Sequence, residues 1–138
     1  MLEVKINPHG NPMPVQYGEW IDLSTAEDVD MHTLDFRYIS LGISLEVPEG
    51  YYVMVAPRSS TYAKHGIILA NSIGIIEHDY SGDDDILHFP AIALRKTHIP
   101  KGTRIAQFCV KRQEEPVSLV RVDYLGNKNR GGLGSTGG

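Results

Sequence analysis

Apolar and polar residues alternate along much of this chain, and that period limits what it can fold into more than any other feature. Ile39, Leu41, Ile43, Leu45 and Val47 stand against Ser40, Gly42, Ser44 and Glu46, and Leu2, Val4 and Ile6 stand against Glu3 and Lys5. A period of two puts the two sets on opposite faces of a strand, so both segments predict half-buried β-strands. Further strands are predicted at Tyr51–Ala56, Ile67–Leu69, Ile73–Ile76, Ile86–Leu94, Arg104–Val110 and Val117–Tyr124. The turn signatures Val47-Pro48-Glu49-Gly50 and Ile99-Pro100-Lys101-Gly102 read as hairpin connections. Only Ser60 to Gly66 reads as a short helix or helical turn. Many short strands with regular turns, and no long 3.6-residue periodicity, predict an all-β sandwich or jelly roll.

The length of 138 residues suits one domain, because a chain of this size buries roughly two-thirds of its unfolded surface. That domain is expected over residues 1–125. From Gly126 the composition shifts to Gly, Asn, Ser and Thr, ending Arg130-Gly131-Gly132-Leu133-Gly134-Ser135-Thr136-Gly137-Gly138. Such a stretch buries too little to order itself, so residues 126–138 are expected to be a flexible arm. A formal charge of −4 argues against non-specific nucleic-acid binding, which needs a basic face. It leaves room for a small polyanion where positive groups gather locally. The single cysteine, Cys109, lies in the apolar run Ile105–Val110, and a buried free thiol in a reducing compartment is expected. With no basic flank ahead of an apolar N-terminal stretch and no window long enough to span a bilayer, a cytoplasmic protein without a membrane partner is expected.

Three segments carry polar groups suited to a ligand. Pro57-Arg58-Ser59-Ser60 follows a predicted strand and offers a guanidinium, two hydroxyls and, where a helical turn begins, free N–H groups for an anion. A serine at a helix start also serves simply as an N-cap. In the tail, glycines let the backbone wrap a ligand while Arg130, Ser135 and Thr136 add donors; a disordered terminus is the plainer reading. Asn71 to Gly82 reads as a strand ending in the carboxylate of Glu77, with Tyr80 at the bend. It equally describes a hairpin with a solvated acidic end. The triplet Asp83, Asp84 and Asp85 is more in keeping with a polar loop than a metal site, and the six histidines show no zinc spacing.

Taken together, five segments in order resemble the trimeric dUTPase family: Trp20 to Leu23, Pro57 to Ser60, Gly74 to Gly82, Gly102 to Gln107, and Arg130 to Gly137. The resemblance runs from about residue 19 to the end, and the wording of the first and last segments is similar to Gram-positive bacterial and phage forms. It implies a jelly-roll subunit, a homotrimer with three sites at subunit boundaries, and hydrolysis of dUTP to dUMP and pyrophosphate, limiting uracil in DNA and supplying dUMP. Arg58, Ser59 and Gln107 would serve catalysis at the phosphates together with Glu77, and Ser60 would add a phosphate contact. Asn71, Gly74 and Ile76 would read uracil, and Tyr80 would pack on the deoxyribose. Arg130, Leu133, Gly134, Ser135 and Thr136 would close over the nucleotide of a neighbouring subunit, and Asp22 would be structural beside the phosphates. The Mg²⁺ of such enzymes is held by triphosphate and water, so no protein ligand is expected.

Two positions depart from the commonest family wording. Leu133 stands where many members carry Phe over the uracil, and Glu77 stands where the family has the Asp that orients the attacking water. Three readings follow from the second departure: a working dUTPase, a dUTP-binding protein with impaired turnover, or an interaction protein whose nucleotide state controls a regulatory partner. A dCTP deaminase shares the fold, but such relatives lack this full tail and hairpin wording.

Overall fold

The structure, a computed structural model, describes residues 1–134. Its elements are β1 (Lys5–Asn7), β2 (Val15–Gln16), β3 (Ile21–Ser24), β4 (Val29–Met31), β5 (Phe36–Ser40), β6 (Ser44–Glu46), β7 (Tyr51–Pro57), α1 (Thr61–His65), β8 (Ile67–Leu69), β9 (Gly74–Ile76), β10 (His88–Ala93), β11 (Thr97–Ile99) and β12 (Arg104–Arg112). The largest sheet runs β2-β3-β12-β7-β9, a second runs β5-β10-β8, and β1-β6 and β11-β4 form small pairs. Every pairing is antiparallel. Val53 and Val55 of β7, Phe108 of β12, Ile39 of β5, Ile67 of β8 and Phe89 of β10 join one buried cluster between the layers. This is the all-β architecture with a single short helix that the alternation predicts. No helix among the described residues is long and apolar enough to cross a membrane.

Several local readings need correction. Ile39 to Val47 is two strands, because Gly42 sits at φ +71° and bends the chain between β5 and β6. Its neighbours pack so closely that a Cβ there would stand 2.5 Å from Asn11 Nδ2 and 2.6 Å from the Ala26 Cβ. Gly42 and Ser44 are buried along with the apolar set, so alternation stops reporting a single wet face. Both Pro-X-Gly turns form: Tyr51 N–H donates to Pro48 O (3.2 Å) and Thr103 N–H to Pro100 O (3.1 Å), each with glycine at φ +86°. Neither closes a hairpin. β6 pairs with β1 while β7 pairs with β12 and β9, and β11 pairs with β4 while β12 pairs with β3 and β7. The turns reverse the chain locally but carry it between sheets, because the face to be buried selects the partner strand.

Val117 to Tyr124, read as a strand, pairs with nothing and is exposed throughout. A strand needs a partner for its backbone groups, and none of the other described residues supplies one. Conversely, β2, β3, β4 and β11 went unrecognised as strands; at two to four residues each they are too short to show a period. The helix falls inside its predicted span, ending in Gly66 at φ +67°. The Ser60 side chain makes no cap hydrogen bond, so the plain N-cap reading of that serine is not what the structure shows. Cys109 is fully buried on β12, and burial raises its pKa, against Lys111 and with Glu19.

Candidate active site

Functional candidates gather in two places on the chain. One is the edge of the large sheet. β9 pairs with β7 on one side only, with Val55 opposite Gly74 and Val53 opposite Ile76, so its other side offers unpaired backbone donors and acceptors. Gly74 permits this close pairing, since a Cβ there would lie 3.1 Å from the Val55 Cβ. Beside it opens a hollow of about 470 Å³ lined by Asn71, Gly74, Ile76, Glu77 and Tyr80 among others.

The loop beyond β9 is tied down at several points. Tyr80 N–H donates to Glu77 O (3.1 Å) and Tyr80 OH to Ile86 O (2.9 Å). Gly82 N–H donates to Asp85 Oδ2 (2.9 Å), and Asn7 Nδ2 to Asp83 Oδ1 (2.9 Å). Two members of the Asp83 to Asp85 triplet thus fasten the loop, in keeping with the polar-loop reading. His78 also reaches away from the hairpin, its Nδ1 2.9 Å from Val47 O.

The other cluster sits where β3, β12 and the end of β7 adjoin. Register sets Gln107 opposite Asp22 on one side and Ala56 on the other. Asp22 is mostly buried and bridges two guanidiniums, with Oδ2 3.3 Å from Arg58 Nε and 3.2 Å from an Arg104 terminal nitrogen. Gln107 Nε2 donates to Pro57 O (3.0 Å). Thr61, 1% exposed, accepts from Arg58 N–H (2.9 Å) and donates to Ile105 O (2.7 Å), which locks the Arg58-Ser59-Ser60 turn onto β12. One carboxylate between two arginines leaves net positive charge at a turn carrying two hydroxyls, an arrangement able to hold an anion. At the end of α1, His65 has a lowered pKa, first through burial and then through Lys64, Arg95 and Arg58.

These two clusters do not meet within one chain. Arg58, Ser59, Ser60 and Gln107 line no part of the β9 hollow. Pairing of Val53 with Ile76 places Glu77 level with Tyr52, and the six steps along β7 from there to Arg58 span roughly 20 Å. Arg130, Leu133 and Gly134 are exposed beyond β12, whereas Ser135 and Thr136 lie outside the described residues. Sequence reading passed over Thr61, Arg104 as a partner of Asp22, and the ring of His78. Arg104 and His78 stood inside quoted segments, but all three act through contacts 82, 44 and 31 residues away in sequence, which no local pattern records.

The fold is that of known dUTPases. A mutant of the Staphylococcus bacteriophage 80alpha dUTPase with dUpNHpp superposes with a TM-score of 0.80 at 20% identity, covering 98% of each chain. The dUTPase from Streptococcus mutans gives 0.74 at 17% identity over 83% of this chain and 98% of that one. At the level of sequence, the dUTPase family profile matches residues 20–137, and the chain belongs to the dUTPase family. The SPbeta prophage-derived deoxyuridine 5'-triphosphate nucleotidohydrolase YosS of Bacillus subtilis is 50% identical over 123 residues, 89% of this chain and 87% of that protein. A deoxyuridine 5'-triphosphate nucleotidohydrolase of Finegoldia magna is 33% identical, covering 99% of both.

Proposed function

We propose that this chain hydrolyses dUTP to dUMP and pyrophosphate by attack of water on the α-phosphorus, and that it works as a homotrimer. The carrying observation is the separation of two complementary half-sites on a chain of this family. The β9 hollow offers an edge backbone, an amide and a carboxylate, and the Arg58–Gln107 cluster offers positive charge and hydroxyls, yet roughly 20 Å of strand separates the Glu77 end of the hollow from Arg58 and the two share no lining residue. Joining the hollow of one subunit to the cluster of the next builds a pocket long enough for a nucleoside triphosphate. The apolar residues Val117, Leu119, Val120 and Val122, all exposed, supply surface for such an assembly to cover.

In this reading Asn71 and the Gly74–Ile76 backbone hydrogen-bond the uracil edge, and Tyr80 lies beneath the deoxyribose, where it disfavours a 2′-hydroxyl. Arg58, Ser59, Ser60 and Gln107 hold the phosphates, with Ser59 at the α–β bridging oxygen. Asp22 aligns Arg58 with Arg104. The Glu77 carboxylate orients the attacking water, and the arm from Arg130, with Leu133, Gly134, Ser135 and Thr136, closes the neighbour's site. Catalysis of this kind rests on positioning and on neutralising charge that develops on the leaving pyrophosphate.

No group of three His, Cys, Asp or Glu side chains able to hold a metal gathers among the described residues, and Asp22 is already committed to two arginines. In this reading Mg²⁺ is carried by the triphosphate and water, in keeping with an ion that dehydrates reluctantly. When bound it supplies charge neutralisation at the leaving group.

The test is pyrophosphate release from dUTP, dTTP, dCTP and UTP in parallel, with Mg²⁺. We expect kcat/KM for dUTP to exceed that for the others by at least about 10²-fold, as a site built on hydrogen-bond readout allows. Comparable values for dUTP and UTP would contradict the assignment of Tyr80. Glu77 favours a second reading, a dUTP-binding protein with impaired turnover, which would show tight analogue binding with little pyrophosphate release.

A further inference from the structure

We infer that His78 is a positioning residue for Glu77, acting through the hydrogen bond from its ring to the main chain of Val47; this rests on the reading of Glu77 as the carboxylate that orients water. β9 ends at Ile76, so Glu77 is the first residue beyond the ladder that β7 supplies, and nothing in the sheet holds its backbone. On the far side the loop is fastened by Tyr80, Gly82 and Asp83, through bonds to Ile86, Asp85 and Asn7. Those side-chain ties fix the bend three or more residues beyond the carboxylate, and Tyr80 N–H closes the turn onto Glu77 O at 3.1 Å, but neither holds the turn to the body of the sheet next to Glu77. The His78 ring provides the near anchor, its Nδ1 2.9 Å from Val47 O.

The anchor point is rigid. Val47 is 2% exposed and belongs to the buried cluster, and the turn after it is closed by Tyr51 N–H on Pro48 O. His78 is half-buried, whereas Glu77 and Asp79 on either side are exposed, as expected where the middle residue is turned inward to hold the chain. A carbonyl accepts only from a protonated ring nitrogen, so Nδ1 carries hydrogen in this contact and Nε2 is left for solvent or a second proton. The bond therefore survives in both the neutral and the charged ring, and the role demands a donor at the Nδ1 position rather than a titrating imidazole. Asparagine meets that demand, since its amide nitrogen occupies nearly the same place as Nδ1. Placement errors of about 1 Å at a reacting group cost on the order of 10²-fold in rate, so a loosened Glu77 is felt in turnover before binding.

Single-turnover hydrolysis of dUTP and titration with dUpNHpp, performed on the parent trimer and on His78→Ala, His78→Asn and Glu77→Gln, test this. We expect His78→Ala to lower the rate by about 10- to 100-fold with analogue affinity changed less than about 3-fold. His78→Asn should recover to within about 3-fold of the parent, with the same pH profile. An unimpaired Ala variant, an Asn variant as slow as Ala, or loss of a limb of the pH profile in the Asn variant would each overturn the tether. Analogue binding reports whether each variant still forms the pocket; a His78→Ala protein that loses binding and rate together would mark a merely structural residue. Parent-like hydrolysis by Glu77→Gln would instead remove the carboxylate's role, and the tether with it, while leaving the His78 results to be judged separately.

Discussion

At Glu77 a single methylene separates this chain from the wording of its family. The charge is unchanged, but the longer side chain moves the carboxylate by about an ångström unless the loop gives way. The chain is held before that residue by the pairing of Ile76 with Val53 and after it by the His78 and Tyr80 side chains, so it has little room to retreat. Near-attack geometry is steep in distance, whereas the proposed phosphate contacts come from Arg58, Ser59, Ser60 and Gln107, which lie on other elements. Glu77→Asp is therefore expected to raise the single-turnover rate by about 10- to 100-fold and to leave dUpNHpp affinity within about 3-fold. Rate and titration on the two proteins decide it, and an unchanged or lower rate would show that Glu77 already suits its site. Asp79 shares a strand-like spacing with Glu77, but it lies closer to the bend, where Tyr80 N–H closes the turn onto Glu77 O.

Among the elements, the break between β5 and β6 shows how a local pattern yields to packing. Alternation across Ile39 to Val47 is real, and Gly42 looked like one more polar-face position within it. In the fold that glycine adopts φ +71°, accepts a hydrogen bond on its carbonyl from Asn11 Nδ2 at 3.0 Å, and leaves no space for a side chain. Gly42→Ala combines a left-handed backbone with overpacking, so we expect a loss of roughly 2–4 kcal/mol, read as a lower midpoint in urea with an unchanged slope. Gly50, also at positive φ but with nothing within 4 Å of a built Cβ, is the control: alanine there carries only the backbone cost, roughly 1–2 kcal/mol.

For the molecule as a whole, the proposed site has its parts in two places on one chain, so the assembly is where it is tested. The segment beyond β12 is apolar in places yet uncovered, with Leu119 at 93% and Tyr124 at 83% exposure. From Tyr124 to Gly134 the chain reaches roughly 33 Å if extended, enough to cross to a neighbour. Deleting residues 130–138 is expected to preserve a trimer, because the surfaces left to be covered precede residue 130. It should lower kcat/KM for dUTP by about 10²-fold or more through loss of closure. Light scattering and a pyrophosphate assay on the truncated protein check both parts; a monomeric parent or a fully active truncation would contradict the arrangement.

Local chemistry alone determined the class of fold, the single helical turn with glycine at its end, the two Pro-X-Gly reversals and the burial of Cys109, since each depends on neighbours in sequence or on a short period. By residue type, and by the order of segments that resembles the family, it also singled out the Arg58 turn and the Glu77 hairpin as candidates for the proposed site. Tertiary structure decided what those pieces do together. Strands as short as β4 and β11 exist only because they find each other across 68 residues, and the partners of the turns were set by which faces had to be buried. Asp22 between Arg58 and Arg104, Thr61 on Ile105 and His78 on Val47 are likewise long-range contacts, invisible to any window along the chain. The separation of Glu77 from Arg58 follows from antiparallel register, which sends them toward opposite ends of β7.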